Sequence, residues 1–283
     1  MASRDDELLI GPAAGLGDAQ ARMNASTRGQ WDWYASHRRA VERLIVPEGG
    51  GGRICVLGAG NCNDLDLAWL AGAYAEVHLV DIDPSALARA VARQGAAGRV
   101  HLHAPVDLVG LAGVIKTWTG RRVTKAEVDA AVRAVNGPVE PIAGGGFDVV
   151  LSPCLLSQLW VGVRDAIGKD HPGWPRLKGP IRARHVRTVV ELTRPGGRGV
   201  MAVDLASTER VPGLDRAREA DLADLMRLCV QDGKGFRGLA PADLAEALWR
   251  QGGIAGVAMH GPWVWHLGFG KAFLCYGMVA RRG

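Results

Sequence analysis

The sequence predicts an α/β chain: a doubly wound, seven-stranded, mostly parallel sheet that ends in an antiparallel hairpin and carries a helical cap at its N-terminal side. Three observations predict it. Short apolar runs alternate with helix-period segments from Arg53 onward. The first five runs are apolar almost throughout, as strands buried on both faces require. The last two follow one another with only a loop between them, the pattern of an antiparallel pair. With 283 residues and 48% hydrophobic content, the chain can bury one large core, or one core plus a small cap. The expected division is an N-terminal segment with the cap over residues 1–50 and a main domain over 51–283.

Taking the elements in order, residues 1 to about 26 are rich in Gly and Ala with little periodicity and are expected to lack regular structure. In STRGQWDWYASHRRAVERLI, Trp31, Tyr34, Arg38, Val41, Leu44 and Ile45 fall on one helical stripe, with Ser26 or Thr27 as N-cap. The breaker PEGGGGR, residues 47–53, separates this cap helix from the main domain. Strands are expected at 54–58, 77–81, 100–103, 147–152, 199–204, 254–260 and 272–280. Between them, Thr124 and Glu127 form a capping box ahead of the stripe Val128, Ala131, Val132 and Val135. Leu222, Leu225, Met226 and Cys229 repeat at the same spacing, which assigns Met226 to the core.

The formal charge of +5 attracts anions mildly, but Lys and Arg are interspersed with acids and form no stripe with aromatic residues, so nucleic acid is not indicated. Five cysteines, an odd number without a C-x-x-C pair, support neither a zinc ribbon nor a disulfide framework, and a reducing cytoplasm is expected. The opening MASRDDELLIGPAAG lacks a cationic stretch followed by an apolar run. No apolar run is long enough to span a bilayer, so an unexported, non-membrane protein is expected.

Chemistry concentrates where the first expected strand ends, at Gly58-Ala59-Gly60. Glycine there leaves no side chain between main-chain N–H groups and a ligand, and the following helix offers its positive end. The dinucleotide template asks for a third glycine at position 63, where this chain has Asn63. Asp81 ends the second strand, where a carboxylate can accept from both hydroxyls of a ribose. Its competing role, a helix N-cap, falls better to Asp83 ahead of Pro84. FDVVLSPCLLSQL forms the fourth strand and its exit, and Pro195-Gly196-Gly197 precedes the fifth.

In this order and spacing, over about residues 53–281, the motifs resemble those of the class I S-adenosylmethionine-dependent methyltransferases. The resemblance implies S-adenosylmethionine as cofactor and in-line methyl transfer to a small-molecule acceptor. It places Gly58, Ala59, Gly60 and Asn61 along the methionine part, Asp81 on the ribose hydroxyls and Ile82 beside the adenine. Asp107 falls near the exocyclic amine of adenine with Leu108 beside it, and Ser152 and Pro153 border the methyl group and the acceptor. Two positions depart from the pattern: Val56 stands where an acid is common, and Cys62 where a third glycine is usual. Asn61, Asn63 and Asp64 cluster there instead, and their side chains either contact the amino-acid end of the cofactor or cap the helix. RNA methylation, NAD-dependent oxidoreduction and a noncatalytic binding module remain the alternatives.

A general base is needed only if the acceptor arrives protonated. The candidate bases are His37 on the cap helix and His185 in PIRARHVRTVVEL, against an exposed position for His37 and a helix-packing one for His185. Tyr34, Cys154, Gln158, His171 and Trp174 are candidate acceptor contacts. Residues 160–180 read as a loop that either binds an anionic or aromatic acceptor or is solvated surface. The apolar setting of Cys154 favours packing over nucleophilic chemistry. His101 and His103 share a strand face, but no third ligand stands at a telling spacing, so no metal site is expected. Trp263, Trp265 and His266 lie in PWVWHLGF, between the last two expected strands, and pack either the cap or the acceptor.

Overall fold

The structure, a computed structural model, describes residues 15–48, 51–118, 123–139, 141–167 and 173–283. Strands β1 (Arg53–Leu57), β2 (Glu76–Val80), β3 (His101–His103), β4 (Phe147–Pro153), β5 (Thr193–Ser207), β6 (Ile254–Gly268) and β7 (Lys271–Arg282) form one sheet in the order β3-β2-β1-β4-β5-β7-β6. The first five pair in parallel, and β7 runs antiparallel to both β5 and β6. Strand order reverses between β1 and β4, so the crevice at their carboxyl ends is where an open α/β sheet receives a ligand.

Both faces are covered. Helices α1 (Leu16–Thr27), α2 (Ala35–Leu44), α3 (Leu67–Ala73), α4 (Pro84–Arg93), α5 (Ala112–Trp118), α6 (Lys125–Val135), α7 (Leu155–Ile167), α8 (Trp174–Leu192), α9 (Leu222–Gln231) and α10 (Pro241–Trp249) supply the layers. Ile54, Val56, Val77 and Leu79 pack with Leu44, Leu67, Leu70 and Leu87 on one side. Cys55, Leu57, Val80 and Phe147 pack with Ile115, Val128, Val163 and Val189 on the other. Strands that are apolar at most positions are the direct result, and each fully buried Val, Leu or Ile stabilises by roughly 1.5–3 kcal/mol relative to exposure. All five cysteines are buried free thiols. Among the described residues, no helix is long and apolar enough to cross a membrane.

The caps follow side-chain chemistry. Asp83 accepts from Ser85 N and Ala86 N ahead of Pro84, and Thr124 and Glu127 form the expected capping box. Four expectations need correction. Residues 16–27 form α1 instead of an irregular opening, so Ser26 and Thr27 end a helix rather than start one, bonding back to Met23 O. The cap stripe divides into a 3-10 turn, Asp32–Tyr34, and α2. The described part of 160–180 is helical, because Pro175 occupies the first turn of α8, where its missing N–H costs nothing, and Pro180 is carried within that helix. Finally, β6 continues through Trp263 and Trp265 to Gly268, past a register break between His260 and Trp263, and the hairpin loop shrinks to Phe269-Gly270. The P-G-G turn survives as an interruption of the ladder between Thr193 and Arg198 of β5.

Candidate active site

The Gly58-Ala59-Gly60 turn leaves β1 and folds at once against the end of β2, where Gly58 N and Ala59 N both donate to Val80 O, at 2.8 and 3.0 Å. Gly58 and Gly60 have φ of 70° and 49°, a region that side chains disfavour. Space is equally short: a Cβ on Gly58 would meet Leu155 at 2.5 Å, and one on Gly60 would meet Asn24 Oδ1 at 2.9 Å. Facing this turn, the Asp81 carboxylate accepts from Gly60 N through Oδ2 and from Asp83 N through Oδ1, each at 2.8 Å. Burial pushes the Asp81 carboxyl above its usual value, opposed by the N–H groups of Asp83 and Gly60. Because Asp83 caps α4, Asp81 is released from that task, and each of its oxygens keeps acceptor capacity for a hydroxyl.

Helix α1 roofs the turn. Asn24 Nδ2 donates to Asp83 Oδ2 at 3.0 Å, and Asn61 Nδ2 donates to Asn24 O and to Thr27 Oγ1. Asn63 Nδ2 reaches Thr27 O at 2.9 Å, while Arg93 bonds Asn63 Oδ1 and Asn61 O from α4. The side chains of Asn61 and Asn63 therefore hold the roof, a use that the sequence does not reveal because α1 carries no clear apolar stripe. Asp64 does not cap the next helix, since Asp66 does so by accepting from Trp69 N. The Asp64 carboxylate instead lies 3.3 Å from His37 Nε2.

Beyond β3, Asp107 accepts from Val109 N and Gly110 N at 2.9 Å and from Ala112 N, which organises the entry to α5. A cavity of about 490 Å³ opens beside it, lined by Pro105, Val106, Asp107, Gly110, Pro138 and Arg184. Ile82 and Leu108 are partly buried against the main core. Leu108 O also receives Arg184 Nε at 3.0 Å.

At the exit of β4 the structure brings together two residues that the sequence keeps apart: Ser152 Oγ and His185 Nε2 are hydrogen-bonded at 2.7 Å, both buried. Burial lowers the His185 pKa to about 4, so the ring is neutral over the ordinary range. Pro153 is buried at the end of β4. Cys154 follows with φ of 47° in the tight passage from β4 into α7, its thiol pushed up by burial, which fits packing rather than a nucleophile. Gln158 accepts from Gln20 Nε2 of α1 at 3.4 Å, and Trp174 packs partly buried at the start of α8. His171 lies outside the described residues.

The cap contributes a second buried group. His37, the candidate expected at an exposed helix position, is fully buried: Trp265 stacks on it at 4.4 Å and Trp263 Nε1 donates to its Nδ1 at 3.0 Å. Tyr34 is also buried and packs edge-on to Trp265 at 5.0 Å. Burial opposes a charge on His37, but the contacts with Asp64 and Cys154 outweigh it and push the imidazole pKa up to about 9. An indole N–H can only donate, so Nδ1 keeps its lone pair and the proton of the neutral ring sits on Nε2. His37, Cys154 and Cys275 have potential ligand atoms within 4.8 Å of one another. In that tautomer Nδ1 is taken by Trp263 and Nε2–H points at Asp64, which leaves neither nitrogen to a metal. Asp204, on β5, completes the group; burial pushes its carboxyl up to about 7 against the pull of Ser157 and His37. It went unnoticed in the sequence because an acid ending a strand run reads as a turn residue.

No known protein-family model matches the sequence. No curated protein matches it either. Among solved structures, the chain is similar to the 1,6-didemethyltoxoflavin-N1-methyltransferase of Burkholderia thailandensis, solved with 1,6-didemethyltoxoflavin and S-adenosylhomocysteine bound. The identity is 17% and the TM-score 0.51, over 98% of this chain and 92% of that one. It is also similar to an S-adenosylmethionine-dependent methyltransferase of Thermotoga maritima described as a possible histamine N-methyltransferase, at 12% identity and a TM-score of 0.50, over 95% of this chain and 98% of that one. The fold is that of the class I S-adenosylmethionine-dependent methyltransferases.

Proposed function

We propose that this chain is an S-adenosylmethionine-dependent methyltransferase acting on a small-molecule acceptor. One observation carries the reading: a turn with no room for side chains ends β1, and the Asp81 carboxylate at the end of β2 faces it through the Gly60 N–H. The cofactor fits these residues. Glycine at position 60 lets the turn come close enough for its N–H to donate to Asp81 at 2.8 Å, leaving the carboxylate's other lone pairs for a ligand at the edge of the turn. Asp81 then accepts from the two ribose hydroxyls, the turn lies along the methionine part, and Ile82 with the cavity beside Asp107 receives the adenine end.

S-adenosylmethionine supplies a methyl group already activated by its positive sulfur. The protein's task is therefore to align the acceptor and exclude water. Helix α1 excludes water over the turn, and Asn24, Asn61 and Asn63 hold it there. Ser152, oriented by the neutral His185, and the Pro153–Cys154 passage border the acceptor's side at the exit of β4. Neither histidine is open to the acceptor as a base: His185 is held neutral by burial beside Ser152, and His37 is fully buried with Nδ1 accepting from Trp263 and Nε2 facing Asp64.

The test is transfer of radiolabelled methyl from S-adenosylmethionine to fractionated metabolites and RNA of the native cell. Label in a small-metabolite fraction is the expected result. Label in RNA alone would reassign the acceptor, and cofactor binding without any transfer would make the chain a binding module.

A further inference from the structure

The β3 edge of the sheet gathers a group of side chains that methyl transfer leaves unused. His78 on β2 pairs in register with His101 on β3, and His103, two residues on, shares the same face. The fold thus supplies the third histidine that was missing from the sequence reading of His101 and His103. The His78 ring is stacked against both, with centroids at 4.6 Å from His101 and 5.2 Å from His103.

The hydrogen bonds give this group a direction. Glu76 Oε2 lies 3.1 Å from His78 Nε2 and is itself held by Arg53 Nε at 2.8 Å. A carboxylate can only accept, so Nε2 carries the His78 proton and Nδ1 accepts from His103 Nε2–H, 2.9 Å away, a proton that a bound ion displaces as His103 shifts to its other tautomer. A carboxylate behind one imidazole nitrogen, with the other nitrogen aimed at a shared point, is how metal-binding histidines are oriented. Two nitrogens bound to a tetrahedral ion at about 2.0 Å stand about 3.3 Å apart, so the observed pair needs to open by less than half an ångström. His101 is exposed and stacks on His78, so its ring has to swing about its own side-chain bonds to bring a nitrogen to the pair. Arg53 brings a positive charge nearby, but it is engaged by Glu76 and by Gly145 O.

The geometry points to a transition-metal site in which His78 Nδ1 and His103 Nε2, joined by His101, bind a divalent ion that favours imidazole, Zn²⁺ foremost and Cu²⁺ as its close substitute. The ion clamps the three-residue edge strand β3 to β2. Its effect reaches the candidate cofactor site through one backbone link, since His103 O accepts from Asp81 N at 3.1 Å. The site rests on these side chains alone and stands whether or not the methyltransferase reading does.

The test uses the full chain stripped with a chelator, titrated with Zn²⁺ by calorimetry and with Cu²⁺ by electron paramagnetic resonance. One saturable equivalent with nitrogen ligation is expected. His101→Gln and His103→Gln should each weaken Zn²⁺ binding at least 10-fold while the metal-free far-ultraviolet spectrum stays unchanged. Glu76→Gln, which touches no metal, should weaken it by about 10-fold or more. Cys275→Ser should leave it intact, separating this site from the His37, Cys154 and Cys275 group. Absence of a saturable equivalent, binding that survives both histidine variants, or binding lost in Cys275→Ser would overturn the assignment.

Discussion

Trp263 donates its indole N–H to His37 Nδ1 at 3.0 Å, and this bond joins the closing hairpin to the N-terminal cap. It sets the tautomer of a fully buried imidazole and aims the ring's proton at Asp64. Trp263→Phe keeps the ring and removes the donor. The expected outcome is a loss of about 1–3 kcal/mol of stability, because a buried acceptor is left unpaired, together with a changed ¹⁵N tautomer signature for His37. An unchanged urea midpoint and unchanged ¹⁵N shifts would show that the bond does not organise the cap.

Gly60→Ala puts a methyl group 2.9 Å from Asn24 Oδ1 at a φ of 49°. Strain of about 1–3 kcal/mol is expected from the backbone alone. The contact also pushes α1 off the turn. Thermal unfolding should register the first effect, and faster amide exchange confined to residues 16–27 the second.

If α1 roofs a bound ligand, S-adenosylhomocysteine should slow amide exchange in α1 and at Asn61 and Asn63, whose side chains bond Thr27 and Asn24. Asn24→Ala should reduce that protection. Exchange slowed at Gly58–Gly60 but not in α1 would mean that the helix stands aside from the ligand.

Two buried groups set opposing pH slopes. Burial pushes Asp204 from 3.8 to about 7, so between those values the folded state holds a proton that the unfolded state releases, and stability falls as pH rises. Burial takes His185 from 6.5 to about 4, so between about pH 4 and 6.5 the unfolded state holds the extra proton and stability rises with pH. The slopes integrate to at most about 4 kcal/mol for Asp204 and about 3 kcal/mol for His185. Asp204→Asn should therefore unmask stability that increases from pH 4 to 6.5, and His185→Gln stability that decreases from about pH 4 to 7. Urea midpoints across this range check both signs, and two variants with the same profile as the parent chain would contradict them.

Much of the sheet is legible in the sequence, because β1, β2 and β4 are buried on both faces and most of their positions are apolar. Asp83 and the Thr124–Glu127 box are legible for another reason: caps act over three residues. Helix α1 is not, since among its residues only Leu16 and Asn24 are buried and its docking runs through polar bonds that leave no period. Residues 160–180 mislead because Gly173, Pro175 and Pro180 signal breaks, yet a proline in the first turn is compatible with a helix.

The site divides along the same line. Gly58, Gly60 and Asp81 are readable because they follow directly from strand ends. The burial of His37 depends on β6 extending to Trp263 and Trp265, and the Ser152–His185 bond on how α8 packs across β4. Such partners meet only in three dimensions. His78 is the clearest instance, one histidine in an apolar strand until register sets it opposite His101.

In the proposed reading, the turn and Asp81 together hold S-adenosylmethionine. Calorimetry of the parent chain and of Asp81→Ala with S-adenosylhomocysteine, with folding of both confirmed by circular dichroism, tests it most directly. Saturable binding by the parent chain is expected. Loss of about 1.5–3 kcal/mol, or roughly 10- to 150-fold in affinity, is expected in Asp81→Ala, because two hydroxyls lose a charged acceptor. No saturable binding by the parent chain, or equal affinity in a folded Asp81→Ala protein, would contradict it.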